Sequence, residues 1–296
     1  MKKTATPSKS GKPLIGFIGQ GFIGKNYADD FEARGFTLVR YARSPEFAGN
    51  KTRIKDCDIV FIAVPTPTTP EGFKYDVVES VLPLIGKGKT AVIKSTILPG
   101  TAEKLQKKFP DIFVFHSPEF LTERTAAEDA AHPMRNIVGI PLDTPEARKK
   151  ASEVIKVLPR ALYEEIMSSR EAELVKYGGN CWFYFKVLYI NMLYDLADNL
   201  GAKWSTVRDA LAADPRIGRS HLDPVHQGGR GAGGHCFIKD FAAFSLIYEK
   251  TFPDDVAGRR ILESLRDKNN DLLVGTGKDL DLLEGVYGPL PKKRKK

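Results

Sequence analysis

Leu14-Ile-Gly-Phe-Ile18 and Gly19-Gln-Gly21-Phe-Ile-Gly24 follow each other directly near the start of this 296-residue chain, and they decide its fold. The apolar run predicts a short buried strand, and residues 25–34 predict a helix. A glycine-rich turn between a strand and a helix is the fingerprint of a dinucleotide-binding unit. Its first glycine makes the turn, its second admits the pyrophosphate and its third packs the helix on the strand. We therefore predict a cofactor site at Gly19, Gly21, Phe22, Ile23 and Gly24.

The second predicted strand, residues 36–41, leads to the position where this fingerprint usually carries an acid for the adenosine ribose. Ala42 and Arg43 stand there instead. Arg43 beside Ser44 suits a ribose 2′-phosphate and so favours NADP, whereas the same guanidinium could merely stack on the adenine. Both interpretations stay open at this point, and the expected cofactor is NAD, with NADP as the alternative.

Further apolar runs alternate with predicted helices, which is the pattern of a doubly wound parallel sheet. Strands are predicted at residues 59–64, 90–95, 112–115 and 136–140, and the last of these is expected to close the sheet. The predicted fold class is therefore α/β. A Rossmann-type doubly wound parallel sheet is expected over residues 13–165, followed by a long central helix and a small all-helical domain over residues 166–285.

Residues 169–200 predict one helix of roughly 45 Å. The helix is apolar nearly all round between residues 182 and 190, so we expect other helices or a second subunit to bury it. Gly178 and Gly179 are unfavourable within a helix and suggest that a backbone or a ligand approaches there. Lys176 and Asn180 share a face four residues apart. Each alone is more often a surface or structural residue, but together they could line a pocket.

Gly233-Gly-His-Cys-Phe-Ile-Lys-Asp240 predicts a tight turn that delivers Cys236 to the first turn of a helix. The two glycines would also let the backbone approach a ligand. The positive end of the helix dipole lowers the pKa of such a thiol and favours the nucleophilic thiolate. Asp240 lies four residues later on the same face. A lone cysteine is more often a small buried hydrophobic residue, so the octapeptide by itself leaves both interpretations open.

The net charge of +8 is concentrated in two terminal segments. Residues 1–12 carry four lysines and no acid, residues 291–296 (PKKRKK) carry five basic residues, and the remainder is close to neutral. We expect both segments to lack fixed structure, and PKKRKK is either a solvated tail or a nuclear-import signal. Three widely spaced cysteines predict neither disulfides nor a metal site. Without a signal peptide or a long apolar run, the sequence predicts a cytoplasmic protein with no membrane or nucleic-acid partner.

With these motifs in order, the chain resembles the UDP-glucose/GDP-mannose dehydrogenase family, the nucleotide-sugar 6-dehydrogenases. The resemblance covers about residues 13–245. Its motifs are Gly19-x-Gly21-x-x-Gly24, Phe61-Ile-Ala-Val-Pro-Thr-Pro67, Lys94-Ser-Thr-Ile-Leu-Pro-Gly-Thr101, Ser117-Pro-Glu-Phe-Leu-Thr-Glu123, Ala172-Glu-Leu-Val-Lys-Tyr-Gly-Gly-Asn180, Arg216-Ile-Gly218 and Gly233-Gly-His-Cys-Phe-Ile-Lys-Asp240.

The resemblance implies that a primary alcohol is oxidised to a carboxylate in two hydride transfers to NAD. It implies that Cys236 captures the intermediate aldehyde as a thiohemiacetal and that the resulting thioester is hydrolysed. Lys176 and Asn180 match the pair that stabilises the developing oxyanion. Asp240 and a water near Thr96 match the groups that handle protons.

The remaining implied roles concern ligand contacts. Glu119 and Glu123 match acids near the sugar and the nicotinamide, and Lys239 matches a contact to the cofactor phosphate. Arg216 matches an arginine that reaches the substrate of a partner subunit, so a homodimer built on the long helix is implied. The implied cofactor contacts also include Val64, Pro65, Thr66 and Thr96. The implied substrate contacts are Glu119, Phe120, Leu121, Lys176, Asn180, Arg216 and Gly233.

Three departures limit what the resemblance implies. Family members usually carry a third domain that grips the nucleotide of the substrate, and this sequence stops where it should begin. The segment 216–236 is a few residues longer than usual, and the ribose-binding acid is replaced. Gly233-Gly-His-Cys236 is similar to the branch that oxidises N-acetylated UDP-sugars, whereas Pro118-Glu-Phe-Leu121 is similar to the UDP-glucose branch. UDP-glucose is the favoured substrate.

Two other functions stay open from the sequence. One is a two-domain β-hydroxyacid dehydrogenase with a small substrate, which would need neither Cys236 nor Glu119. The other is a cofactor-binding interaction protein that has lost turnover and uses its basic tails as contacts. A competent residue at every candidate catalytic position argues against the second alternative, whereas the missing nucleotide-gripping domain argues for it.

Overall fold

The computed structural model describes residues 11–290, so the predicted leader up to residue 10 and the PKKRKK segment lie outside the described residues. The chain forms two units. The first comprises the described residues up to Thr66 together with Tyr75–Lys176, and the second comprises Pro67–Lys74 together with the residues from Tyr177 onward.

Strands and helices alternate through most of the first unit. In chain order up to the long helix, the elements are β1 (Ile15–Ile18), α1 (Phe22–Ala33), β2 (Leu38–Tyr41), α2 (Pro45–Ala48), β3 (Ile59–Ile62), β4 (Thr68–Thr69), β5 (Gly72–Phe73), α3 (Asp76–Val81), β6 (Thr90–Ile93), α4 (Thr101–Lys108), β7 (Phe113–His116), α5 (Ala126–Ala131), β8 (Arg135–Ile140), α6 (Pro145–Val157), β9 (Tyr163–Ser168) and α7 (Ser169–Asn199). The short strands β4 and β5 pair as a hairpin and belong to the second unit.

Within the described residues, a sheet of seven strands forms the centre of the first unit, and its strand order is β2-β1-β3-β6-β7-β8-β9. The strands from β2 to β7 are parallel to their neighbours, β8 is antiparallel to β7, and β9 is parallel to β8. This mainly parallel sheet with flanking helices confirms the predicted α/β fold class.

The expectation that residues 136–140 close the sheet is wrong. The strand β9 pairs along the whole of β8, from Arg135 with Tyr163 to Ile140 with Ser168. Its sequence, Tyr-Glu-Glu-Ile-Met-Ser, lacks the continuous apolar run of a central strand, because an edge strand exposes much of its side-chain surface. The sheet therefore extends beyond residue 165, where we predicted the domain to end. The division into domains as predicted stays a prediction.

Three phenylalanines hold α1 against the sheet. The ring of Phe17 on β1 lies 5.1 Å from that of Phe61 on β3 and 5.4 Å from that of Phe31 on α1, between centroids. All three side chains are buried. The helix α1 begins at Phe22, three residues before the predicted start, because it follows the glycine turn without a spacer. The glycine turn is thereby fixed between two packed elements.

Lys12 contacts the first unit, whereas we predicted that residues 1–12 lack fixed structure. Its ammonium donates to the backbone carbonyl of Arg34 at 2.8 Å and lies 4.7 Å from the centre of the Phe36 ring. The last residue of the predicted leader thus packs on the first unit.

The second unit is mainly helical. Beyond α7 its elements are α8 (Trp204–Ala212), β10 (Val225–His226), β11 (Gly229–Arg230), α9 (Gly234–Thr251), α10 (Val256–Thr276) and α11 (Leu280–Tyr287). The rings of Tyr184 on α7 and Phe241 on α9 stack with centroids 3.9 Å apart in its core. The β4–β5 and β10–β11 hairpins make the unit not purely helical, which corrects the predicted all-helical domain. Strands of two residues carry no periodic pattern from which they could be predicted.

The long helix α7 matches the prediction, but large apolar side chains from its middle to its end stay exposed. They are Trp182, Tyr189, Met192 and Leu196, and Leu200 just beyond the helix is exposed as well. The other helices within residues 11–290 therefore do not bury this surface, which we call the α7 apolar face. No helix among the described residues has both the length and the apolar character to cross a membrane.

Candidate functional site

The glycines at the end of β1 serve two different purposes. Gly19 has a positive φ of 93°, and a Cβ there would lie 2.1 Å from the carbonyl oxygen of Ala63. A Cβ on Gly24 would lie 2.0 Å from the carbonyl oxygen of Gly19. A Cβ on Gly21 would meet no described atom within 4 Å. The first and third glycines are needed for packing, and the second leaves open space, which fits the approach of a pyrophosphate.

The other predicted cofactor contacts of the first unit lie along the same edge of the sheet. The strands β1, β3 and β6 are neighbours, so the segments that follow them gather at their carboxyl ends. Val64 is held there because its N–H donates to the Ser95 hydroxyl at 2.9 Å, and that hydroxyl donates to the Val64 carbonyl at 2.6 Å. Among these predicted cofactor contacts, the side chains of Phe22, Arg43 and Pro65 are exposed. Those of Thr66 and Thr96 are buried, and Ile23 packs on the core.

Arg43 follows β2 and its side chain is exposed. Within residues 11–290 it forms no salt bridge, whereas Arg40 on the same strand binds Asp29 and Glu32. A guanidinium without a carboxylate partner is available to an anionic ligand.

Glu119 and Lys176 form a buried ion pair. The ammonium of Lys176 donates to Glu119 Oε1 at 2.6 Å and to the Glu119 backbone carbonyl at 2.8 Å, and both side chains are 5% exposed. The second carboxylate oxygen accepts the N–H of Leu121 at 2.7 Å. Two predicted site residues are thus brought together. Removing either partner of such a pair would leave a buried, uncompensated charge at a cost of roughly 3–5 kcal/mol.

Phe120 lies beside this pair. The guanidinium of Arg135 stacks on its ring at 3.7 Å, and the Lys176 ammonium lies 5.8 Å from the ring centre. Leu121 packs on the core of the unit, whereas Glu123 is exposed. The structure therefore places Phe120 next to the ion pair and Glu123 at the surface of the chain.

Lys94 belongs to the same region, although sequence reasoning did not select it as a site residue. Its ammonium donates to the Ser117 hydroxyl at 3.1 Å and lies 4.4 Å from the centre of the Tyr27 ring. The pKa of Lys94 is lowered to about 7, mainly by burial; Glu119 opposes this shift and Lys176 contributes to it. The sequence feature that could have identified Lys94 is its position directly after the apolar strand residues Val92-Ile93. A buried lysine at a ligand-binding edge is unusual.

Glu173 is a second residue that sequence reasoning missed. Its buried carboxylate accepts the N–H of Gly100 at 2.5 Å and that of Ala102 at 2.9 Å, which caps the start of α4. Burial raises the pKa of Glu173 to about 7, although both hydrogen bonds favour the charged form. The loop that begins at Thr96 is therefore anchored at its end by a side chain from α7.

In the second unit Asp240 is fully buried and uses both carboxylate oxygens. Asn180 donates its amide to Oδ2 at 2.6 Å, and the Lys239 ammonium donates to Oδ1 at 2.5 Å. The backbone carbonyl of Lys239 accepts the hydroxyl of Thr68 at 2.9 Å. Three predicted site residues thus meet at one carboxylate.

Cys236 is the third residue of α9 and its side chain is exposed. Cys57 and Cys181, by contrast, are buried, and burial raises the pKa of each thiol to about 12. All three cysteines lie within the described residues and none forms a disulfide. The alternative that Cys236 is a small buried hydrophobic residue is therefore wrong.

Gly233 is needed before Cys236 for a different reason from the one that we predicted. A Cβ on Gly233 would lie 2.0 Å from Asp279 Oδ2, so the protein itself occupies the space that we expected a ligand to use. A Cβ on Gly178 would meet no described atom within 4 Å, so no neighbouring backbone explains that glycine. Arg216 is exposed and bound to Asp214 at 2.6 Å, and its role toward a partner subunit stays a prediction.

A pair of glycine substitutions separates packing from cofactor binding. Gly24→Ala should lower the free energy of unfolding by about 1–3 kcal/mol, because its Cβ would collide with backbone. Gly21→Ala should change stability by less than about 0.5 kcal/mol but weaken NAD binding. Denaturant unfolding and fluorescence titration measure the two effects. Wild-type NAD affinity in Gly21→Ala would contradict the proposed position of the pyrophosphate.

Glu173→Gln should remove a pH dependence of stability. The pKa of Glu173 is about 7 in the folded protein against 4.5 for an ordinary glutamate. Between these values the folded protein keeps a proton that the unfolded chain has lost, so the free energy of unfolding falls as the pH rises. The slope is at most about 1.4 kcal/mol per pH unit. Urea unfolding across this window checks it, with the exposed Glu146→Gln as control. Identical slopes in Glu173→Gln and wild type would contradict the prediction.

Two family models match this chain. They describe the NAD-binding domain of the UDP-glucose/GDP-mannose dehydrogenase family, over residues 40–159, and the central domain of the same family, over residues 170–271. The second match contains Lys176, Asn180, Cys236 and Asp240. The glycine turn precedes the first match, so its assignment rests on the geometry described above.

The sequences of curated relatives support the same family. A UDP-glucose 6-dehydrogenase of Rickettsia prowazekii is 33% identical over 241 residues, which is 77% of this chain and 54% of the relative. A UDP-glucose 6-dehydrogenase of Rhizobium meliloti is 30% identical over 227 residues, covering 72% of this chain and 50% of the relative. The chain thus spans about half the length of these curated relatives.

Solved structures show the same relationship at the level of the fold. A UDP-glucose dehydrogenase from the hyperthermophilic archaeon Pyrobaculum islandicum superposes with a TM-score of 0.73 at 26% identity, covering 89% of this chain and 70% of the other. A 3-hydroxyisobutyrate dehydrogenase of Mycobacterium tuberculosis has a TM-score of 0.70 at 15% identity, covering 93% and 98%, and shares the fold alone. Because the two models together match most of its residues, this chain belongs to the UDP-glucose/GDP-mannose dehydrogenase family.

Proposed function

We propose that this chain is a nucleotide-sugar 6-dehydrogenase that oxidises UDP-glucose to its uronic acid with NAD or NADP. The observation that carries the proposal is the exposed Cys236 in the first turn of α9, in a chain whose other two thiols are buried. A simple alcohol dehydrogenation needs no nucleophile. A cysteine placed in the helix-terminal field is suited to hold an aldehyde for a second oxidation.

The residues of this chain can divide the chemistry as follows. The Cys236 sulfur adds to the carbonyl carbon of the aldehyde, and a thiohemiacetal results. Oxidation of that adduct leaves a thioester, which water cleaves to the carboxylic acid and the free thiol. A nicotinamide cofactor bound at the glycine turn would accept one hydride in each oxidation and would be replaced by a second oxidised molecule between the two. Lys176 and Asn180 stabilise negative charge on the substrate oxygen as it develops.

Proton handling follows from the two buried carboxylates. Asn180 and Lys239 donate hydrogen bonds to the two carboxylate oxygens of Asp240 and hold it in place as the group that exchanges a proton. Glu119 is the ion-pair partner of Lys176 and orients its ammonium group. Thr96 sits at the start of the loop that Glu173 anchors. We take these roles from the family resemblance. The contacts of Lys176 with Glu119 and of Asn180 with Asp240 support them.

The cofactor choice depends on Arg43. The open space at Gly21 fits a dinucleotide pyrophosphate, and the family model supports a nicotinamide cofactor. The ribose-binding acid is absent, and Arg43 is exposed without a salt-bridge partner in the described part of the chain. We therefore propose that NADP is accepted beside NAD.

A second candidate is a β-hydroxyacid dehydrogenase with a small substrate. The structural similarity to 3-hydroxyisobutyrate dehydrogenase, which this chain covers almost completely, favours it. That similarity concerns the fold, however, and this candidate leaves the exposed Cys236 and the buried Glu119 without a purpose. We give it second place for that reason.

Turnover of UDP-glucose tests the function. Absorbance of the reduced nicotinamide, measured with NAD and NADP in parallel, should show two reduced cofactors per sugar consumed. Cys236→Ser should lose acid production by at least about a hundredfold, because the hydroxyl is a far weaker nucleophile. Cys57→Ala, which removes a buried thiol, is the matched control and should keep turnover.

Two results would contradict the proposal. Unchanged acid production by Cys236→Ser would exclude the thiohemiacetal. Cofactor binding without turnover of UDP-glucose or other nucleotide sugars would favour a protein without catalysis.

The α7 apolar face supports a homodimer. Trp182, Tyr189, Met192 and Leu196 are exposed along one long helix, and large apolar patches of this kind are characteristic of interfaces. We propose that a second copy of the chain covers them, as the family resemblance implies.

Light scattering at micromolar concentration should therefore report a dimer. Tyr189→Glu should weaken dimerisation at least about thirtyfold, because a charge would be buried in an apolar interface. Met134→Glu changes an exposed apolar side chain that does not belong to α7 and should leave the dimer intact. A monomeric wild-type protein would contradict this proposal.

A further inference from the structure

The turn before Cys236 is enclosed by side chains that lie about 40 residues later in the chain. Asn269 is buried, and its amide bonds both backbone groups of Ala232: Oδ1 accepts the N–H at 2.7 Å and Nδ2 donates to the carbonyl at 3.1 Å. A Cβ on Gly231 would lie 3.0 Å from the same Oδ1. A neutral two-point contact of this kind fixes the backbone direction at Ala232.

Asp279 makes the next contact, at the start of α9. Its Oδ2 accepts the N–H of Gly234 at 2.7 Å and lies 2.0 Å from where a Cβ on Gly233 would stand. The backbone of Asp279 has a positive φ of 52°, which is unfavourable for a residue with a side chain. The adjacent Lys278 is buried, and its ammonium donates to the carbonyl of Gly231 at 3.3 Å.

These contacts give α9 a cap from outside its own sequence. Gly234 is the first helical residue and its N–H is one of the groups that a helix leaves unsatisfied. The residue before it is Gly233, which has no side chain to bind that N–H. A carboxylate at this position stabilises the helix start, and its negative charge also opposes the positive end of the dipole, two residues from the Cys236 thiol.

We propose that Asp279 is a positioning residue for Cys236. Its carboxylate fixes the Gly233–Gly234 turn, and its charge sets the pH at which the sulfur becomes a thiolate. The proposal rests on the proposed role of Cys236 as nucleophile. It adds a residue that carries no family motif and that lies beyond the matched central domain.

Other charged or titratable groups near the turn have to be considered. On α9 itself these are His235, Lys239 and Asp240, of which the last two bind each other. The segment after α10 contributes Lys278, which is bound to the turn. In the segment before β10, the ring of His221 lies 5.7 Å from that of Phe237. Among these groups Asp279 provides the carboxylate that bonds the first N–H of the helix.

Alkylation of Cys236 by iodoacetamide tests the proposal on the full chain. The rate is followed from pH 5 to 9 by mass spectrometry of the peptide that contains Cys236, which separates it from Cys57 and Cys181. In Asp279→Asn the amide oxygen can still accept the Gly234 N–H while the charge is gone. The midpoint of the profile should move to lower pH by roughly half a unit, which makes alkylation below the midpoint about threefold faster.

Asp281→Asn is the matched control. Asp281 is exposed in the first turn of α11, two residues from Asp279, and its substitution removes the same charge. Its profile should coincide with that of the wild type. An Asp279→Asn midpoint that equals the wild-type value, or that moves to higher pH, would overturn the proposal.

The alkylation measurement needs no substrate, so it separates this proposal from the proposed function. If UDP-glucose is not oxidised, the shift of the alkylation profile still decides the role of Asp279. If UDP-glucose is oxidised, the acidic limb of the rate profile should move in the same direction in Asp279→Asn. Asp279→Ala removes the acceptor as well, and comparison with Asp279→Asn then reports the geometric contribution.

Discussion

Close approach of backbone to its surroundings is the constraint on which both parts of this structure depend. In the first unit the turn after β1 rests on the carbonyl of Ala63, and α1 rests on the carbonyl of Gly19, at distances that no side chain permits. In the second unit the turn before α9 meets side chains instead, because a Cβ on Gly231 would lie 3.0 Å from Asn269 Oδ1 and a Cβ on Gly233 would lie 2.0 Å from Asp279 Oδ2. Because a Cβ at Gly19, Gly24 or Gly233 would force a shift, these glycines determine where two helices begin.

The two turns use this constraint differently. After β1 the middle glycine, Gly21, leaves space that the protein does not fill, which suits a ligand. Before α9 the protein fills the space with the carboxylate of Asp279. A glycine pair in a sequence therefore does not by itself distinguish an approach by a ligand from an approach by a distant part of the chain.

Buried charge is the second theme of the structure. Glu119 with Lys176, and Asp240 with Lys239, are paired ions, as burial requires. Within residues 11–290 neither Lys94 nor Glu173 forms a salt bridge, and burial moves the pKa of both to about 7. The charges of Glu119 and Lys176, which belong to the same unit, act on the pKa of Lys94 in opposite directions. Lys94 is therefore electrostatically linked to the Glu119–Lys176 ion pair.

The sequence by itself determined the fold class, the glycine turn, the long helix α7 and the position of Cys236 in the first turn of α9, because local pattern and spacing encode these features. It did not reveal β9, whose mixed polar sequence follows from its place at the sheet edge. It also did not reveal the contacts of Lys94, Glu173 and Asp279. Only the tertiary structure decided these, because Asp279 bonds Gly234 across 45 residues and Glu173 bonds Gly100 across 73. Such contacts depend on how the helices and strands pack together, so a local sequence pattern cannot predict them.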